Sequence, residues 1–222
     1  MSDASAACGQ LSKTYRSATQ AVDALIEVDA VFPHKALTVV VGPSGSGKTS
    51  LLRILAGLDR PTSGWAEVDG LDIGTASRRR LTMLRRRVGY VFQRPADNTI
   101  SYLSVIDHLR LTARLRGLGS KAVEGMLATL GLTDRRHHLP HQLSGGEQQR
   151  LAFAQAALGD PALIVADEPT AQLDQQAASA IQELIRALAP NGATLILATH
   201  DPSLVGAAHE VLALRNGRRV IR

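Results

Sequence analysis

Residues 42–50 read GPSGSGKTS, three glycines within six positions and then a lysine and two hydroxyls. Gly42, Gly47, Lys48 and Thr49 satisfy the spacing G-x-x-x-x-G-K-[ST]. Glycines let the chain bend until successive backbone N–H groups point into one hollow. A helix starting there adds partial positive charge. Lys48 would reach β- and γ-phosphates as a point charge, the Thr49 hydroxyl would ligate Mg²⁺, and Ser50 could bond the α-phosphate. Pro43, Ser44, Gly45 and Ser46 complete the loop. A glycine-rich turn with a chance lysine is the bland alternative. The apolar run before it and the helix-prone SLLRILAG after it leave that alternative little room.

Two other stretches place polar chemistry after apolar runs. ALIVADEP (162–169) sets Asp167 at the end of a buried strand, where a carboxylate is costly unless it serves something. Asp167 can hold a Mg²⁺-bound water, and Glu168 can polarise an attacking water as a general base. LATHDP (197–202) places His200 after a similar run, with Asp201-Pro202 as N-cap and first helical position. If both strands belong to the sheet that carries the phosphate loop, their ends face the γ-phosphate.

HQLSGGEQQRLAFAQ (141–155) is harder to explain. Ser144 and Glu147 form a capping box. Leu151, Ala154 and Leu158 then mark a buried stripe. Gly145 and Gly146 cost roughly 1 kcal/mol each against alanine in a first turn. Their presence implies close approach to the backbone, and the simplest visitor is a phosphate.

These residues need a scaffold. LTVVVG (37–42), ALIVAD (162–167) and ATLILAT (193–199) are short and continuously apolar, the pattern of parallel strands buried on both faces. ALIEVDAVF (24–32) and GWAEVDG (64–70) alternate and read as antiparallel strands. In 175–189, Ala177, Ala178, Ile181, Leu184, Ile185 and Leu188 share a helix face, with Gln182 and Arg186 pointing away. The fold expected is α/β: a mostly parallel sheet with an N-terminal antiparallel β subdomain. Residues 94–159 break the alternation. SVIDHLRLTARLRG places Val105, Ile106, Leu109 and Ala113 on one side of a helix, and KAVEGMLATLG reads as another, closed by Gly131. We expect one domain over 1–222, with core 1–93 and 160–222 and a helical subdomain over 94–159.

The apolar runs fall far short of the ~18 residues a membrane span needs. The polar start has no basic n-region, so no secretory leader is expected. Cys8 is the single cysteine, which fits a reducing compartment and a cytoplasmic protein. The net charge of +5 is carried mostly by arginine, six of them in SRRRLTMLRRRVG (77–89). Such a run reads first as a solvated helix face, and otherwise as a site for headgroups, a partner or nucleic acid.

LSGGEQQR resembles the signature of ATP-binding cassette (ABC) ATPases, and the other motifs follow in that family's order. The resemblance implies a P-loop at 42–50 and a Q-loop glutamine, Gln93, that joins Thr49 and Asp167 around Mg²⁺. It implies a D-loop with Asp174, a switch histidine at His200, and Tyr15 stacked on adenine. It implies that Ser144, Gly145 and Gly146 serve ATP held on the P-loop of a second cassette, most simply a copy of this chain. AGLDRPTSG and ADEPT resemble the branch serving lipoprotein-release, macrolide-export and cell-division permeases. RPADNTISYLSV after Gln93 departs from that branch's more apolar loop. The implied function is an ATPase driving a separate integral-membrane permease from the cytoplasmic side, with no nucleic acid expected. The alternatives are a DNA-repair or chromosome ATPase, which would carry a long insertion this chain lacks, and a permease-linked regulatory ATPase that moves no solute.

Overall fold

The structure, a computed structural model, describes residues 4–17, 19–188 and 192–220. The polar start at 1–3 and Ala189 of the expected helix lie outside them. Two 13-residue strands open the chain, β1 (Ala4–Arg16) and β2 (Ala21–Pro33). They pair antiparallel with several register shifts; the expected strand 24–32 lies within β2, and β1 was not expected. Then come β3 (Leu37–Val41), α1 (Lys48–Leu55), β4 (Ser63–Val68), β5 (Leu71–Asp72), α2 (Arg78–Arg87) and β6 (Val88–Val91). The helical stretch follows with α3 (Val105–Arg116), α4 (Ser120–Thr129) and α5 (Gly145–Ala157). The chain returns through β7 (Leu163–Asp167), α6 (Gln175–Leu188), β8 (Leu195–Ala198), α7 (Pro202–Gly206), β9 (Glu210–Arg215) and β10 (Arg218–Val220).

The strands form two sheets, β2-β1-β4-β5 and β10-β9-β3-β8-β7-β6. The first is antiparallel throughout. In the second, every pair is parallel except the terminal β9–β10 hairpin. The three apolar runs singled out in the sequence are β3, β7 and β8, every residue of them buried. One core lies between the two sheets with α1 and α2, a second on the opposite face of the parallel sheet with α5, α6 and α7, and a third among α3, α4 and α5.

Helix α5 belongs to two of these cores. Leu151, Ala154 and Leu158 at its end enter the helical cluster, while Ala152, Phe153 and Ala156 enter the sheet cluster. In α3, Val105, Ile106, Leu109 and Ala113 are buried as expected, and Gly131 takes the left-handed conformation just past α4. On α6, Ile181 and Ile185 are buried and Arg186 is exposed. Gln182 departs from expectation: its Nε2 donates to Asp201 Oδ2 at 2.6 Å, tying α6 to the N-cap of α7.

The arginine run is α2, with Leu81 and Leu84 turned inward and the arginines exposed. Two of them are nevertheless engaged. Arg85 Nε donates to Gly57 O at 2.9 Å, and Arg87 pairs with Asp69. Among the described residues, no helix is long and apolar enough to cross a membrane.

Candidate active site

The phosphate loop runs from the end of β3 to the start of α1, and backbone from three other segments fixes its shape. Gly42 has φ +153°, and a Cβ there would lie 2.1 Å from Leu214 O on β9. Gly47 has φ +100°, and a Cβ there would lie 2.2 Å from Ala24 O on β2. Only glycine fits either position. The turn after β9 closes the clamp, since Gly217 N donates to Ser46 O at 3.2 Å while Gly217 O accepts from Ile26 N at 2.8 Å.

Lys48 is buried and folds back over the loop. Its Nζ donates to Gly42 O at 2.6 Å and Pro43 O at 3.3 Å, and lies 3.9 Å from Glu168 Oε1. His200 Nε2 stands 3.3 Å from that ammonium and 3.5 Å from Glu168 Oε1. A lysine only donates. An unprotonated Nε2 therefore accepts from Lys48, and a protonated one donates to Glu168. Glu168 sits in the left-handed region at φ +44°, and its Oε2 accepts from His200 N at 3.3 Å. Thr49 Oγ1 donates to Asp167 Oδ2 at 2.7 Å. Burial pushes the Asp167 carboxyl above its ordinary range, against the opposing pull of Thr49 and Lys48.

A cavity of about 510 Å³ gathers Tyr15, Ser44, Gly45, Ser46, Gly47, Lys48, Thr49, Ser50, Gln93, Asp167, Glu168 and His200. Gly42 and Pro43 supply the carbonyls that hold Lys48 at its base. Tyr15 O–H donates to Asp59 Oδ2 at 3.0 Å, and Lys13 binds Asp59 Oδ1 at 2.7 Å while lying 4.9 Å from the Tyr15 ring centroid. Burial opposes ionisation of Asp59, yet hydrogen bonds from Lys13, Arg60 N–H and Tyr15 hold its carboxyl below the ordinary range.

The remaining sequence candidates lie elsewhere. Ser144 and Gly146 line a second cavity of about 410 Å³ with Glu147, Arg150 and Asp174. The capping box forms: Ser144 Oγ accepts from Glu147 N at 3.2 Å, and Glu147 Oε2 accepts from Ser144 N at 2.8 Å. Asp174 Oδ1 accepts from Ala177 N at 2.9 Å and so caps α6. The structure gives Gly146 a use inside the chain, because a Cβ there would lie 2.6 Å from Ala177 Cβ. Gly145 is looser, with Leu173 Cδ2 at 3.7 Å from its Cβ position.

Sequence reasoning missed Val22, Asp23 and Ala24, which line the first cavity from β2. It also missed Asp59 and Lys13 behind Tyr15, and the clamp from Leu214 and Gly217. The Asn216-Gly217 turn signal was there to read. Ala24 and Leu214 act through carbonyls, which leave no mark on residue type.

The site has the donor groups an ATP·Mg²⁺ complex requires. The buried Ser46 hydroxyl has no partner among the described residues. Thr49 and Asp167 offer hard oxygen donors of the kind Mg²⁺ takes, one or two protein oxygens with phosphates and water completing the shell. The sequence matches the ABC transporter family over residues 25–171.

The chain belongs to that family. It is an ABC transporter ATP-binding subunit. The cassette is 36% identical to the uncharacterized ABC transporter ATP-binding protein YknY of Bacillus subtilis, over 94% of this chain and 92% of that one. It is 36% identical to the macrolide export ATP-binding/permease protein MacB 1/2 of Paracoccus denitrificans, over 94% of this chain but 32% of that longer protein. The cassette fold superposes on the dimeric post-hydrolysis structure of the ATP-binding cassette MJ0796 bound to ADP and Pi, with TM-score 0.89, 30% identity and 97% of both chains covered. These are transporter proteins or cassettes by name, which leaves the DNA-maintenance alternative without support.

Proposed function

We propose that this cassette hydrolyses ATP as a head-to-tail pair, most simply with its own copy, and that the cycle drives a separate membrane permease from the cytoplasmic side. The observation that carries this reading is the division of the motif residues between two cavities with no lining residue in common. One chain owns Lys48, Glu168 and His200 in one place and Ser144 and Gly146 in another. Each half completes the other only across two chains. The MJ0796 cassette has been solved as a dimer, which supports a two-chain assembly.

In the pair, Lys48 exchanges its carbonyl partners for the β- and γ-phosphates of ATP. The Ser144 hydroxyl and the N–H groups of Gly145 and Gly146 approach the γ-phosphate from the second chain. Mg²⁺, held by Thr49 and Asp167 with Gln93 nearby, would neutralise phosphate charge. Glu168 takes a proton from the attacking water, and His200 orients Glu168 and the γ-phosphate. Tyr15 stacks on the adenine, and Asp174 lies at the seam. Residues 1–93 and 160–222 act as the ATP-binding core, and 94–159 as the helical subdomain that relays closure to the permease. A permease-linked regulatory role would use the same chemistry.

Glu168→Gln keeps the shape of the side chain and removes the base. Turnover should fall by roughly 10²–10⁴, and the variant should sediment as a dimer with ATP and Mg²⁺ but as a monomer with ADP. Adding Ser144→Arg should return the monomer. A Glu168→Gln chain that is monomeric at micromolar concentration with ATP demonstrably bound would end the two-chain reading.

A further inference from the structure

We infer that Gln149 is a positioning residue for hydrolysis, locking the turn that carries Glu168 onto the helix opened by Ser144, Gly145 and Gly146. The inference rests on the assignment of Glu168 as the base. Gln149 lies on α5 with no exposed surface, an unusual place for a glutamine. Its Nε2 donates to Pro169 O at 2.9 Å. Its Oε1 is buried with no partner among the described residues. Hiding an unpaired amide oxygen is unfavourable, and an apolar side chain of the same length would avoid it. Packing therefore does not account for the amide. The bond to Pro169 does.

That bond falls beside a strained position. Glu168 holds φ +44°, a conformation that persists in a non-glycine residue only where the surroundings enforce it. On one side, Glu168 N donates to Ala198 O of β8 at 2.8 Å. On the other, Gln149 holds the very next carbonyl. The same stretch of chain reaches α5 twice more, through Leu173 against Gly145 and Ala177 against Gly146. The first turn of α5 and residues 168–177 thus form one block. In the two-chain site, the base and the signature of a single chain serve different ATP molecules, so Gln149 ties one site's base to the other site's phosphate donors.

The test is ATP turnover by the full chain, with ATP affinity and thermal midpoint measured on the same samples. Gln149→Met keeps the length and loses the donor. Turnover should fall at least about tenfold, since small misplacement of a reacting group costs up to ~10²-fold, while ATP affinity stays within about twofold of wild type. Gln149→Glu supplies a signature that a packing role would not. Burial raises a carboxyl's pKa, and the neutral form still donates an O–H to Pro169 O. Its turnover relative to wild type should therefore fall as pH rises from roughly 6 to 9, the range over which buried glutamates ionise. A lowered midpoint with wild-type turnover per folded Gln149→Met molecule would overturn the inference. Should Gln149→Met not fold, a flat pH ratio for Gln149→Glu would overturn it alone. If wild type hydrolyses no ATP, or Glu168→Gln turns over at the wild-type rate, the catalytic assignment fails and the positioning role falls with it.

Discussion

The two cavities differ in how they are built. Around the phosphate loop, charged groups lean on one another and on loop carbonyls: Lys48 on Gly42 and Pro43, His200 between Lys48 and Glu168, Asp167 on Thr49. These contacts are ones a phosphate and a cation can replace. Around the signature the polar groups already have helix-building work. Ser144 and Glu147 cap α5, Asp174 caps α6, and Gly146 is pressed by Ala177. On the proposed reading, the first region rearranges on binding and the second presents a fixed helix end. A family signature with few free side chains makes sense when its contribution is backbone N–H groups held in place.

Three measurements would sharpen or break that contrast. The largest effect is expected from Lys48→Ala. ATP affinity should fall on the order of 10²-fold, because a buried cation meeting phosphate is lost, while thermal stability changes little. An unchanged affinity by equilibrium titration would take Lys48 out of the site. A smaller effect is expected in the second region. Gly146→Ala forces α5 and α6 apart and should cost about 1–3 kcal/mol of stability by overpacking. Gly146→Ala combined with Ala177→Gly should recover most of that loss in denaturant melts. If the double change recovers nothing, Ala177 is not what Gly146 accommodates.

The smallest effect has the opposite sign. Because Asp167 binds its proton more tightly in the fold than when unfolded, its contribution is most favourable at low pH and is lost as pH rises through and above the ordinary aspartate range near 4. Asp167→Asn escapes this penalty. It should raise the thermal midpoint of the ligand-free chain at neutral pH and weaken its dependence on Mg²⁺ for ATP binding. A neutral-pH midpoint below wild type would contradict the idea that Asp167 is kept for the cation at the fold's expense.

What the sequence made legible, and what it hid, follows the same division. Strands β3, β7 and β8 are buried at every residue and apolar but for Thr38 and the terminal Asp167, because both faces of the sheet are covered. Strand β6 escaped notice because VGYV is four residues long and abuts an arginine-rich helix. The β9–β10 hairpin escaped because EVLALR is half exposed and RRV is wholly so. In the first cavity, charge and glycine spacing picked out residues that the fold brings together. In the second, Gly146 was read as room for a phosphate, while its neighbour within the chain, Ala177, lies thirty-one positions away and announces nothing by itself. Gln149 passed as one glutamine among several until its burial was known.

The strand order has a consequence for the making of the protein. Strand β3, which ends at the phosphate loop, pairs with β8 and β9 and with no earlier strand. The loop is then braced by Leu214 and Gly217. A growing chain therefore carries the most recognisable stretch of its sequence long before that stretch has a shape. Its partners are not synthesised until β8 begins at Leu195 and the final hairpin follows. Contacts this distant in sequence form late and slowly. A chain arrested after Ala207 would possess every residue of the loop and Ala24 beside Gly47, but not the bracing from Leu214 and Gly217. The loop's full bracing thus waits on β9 and the turn after it, however early its own residues are made.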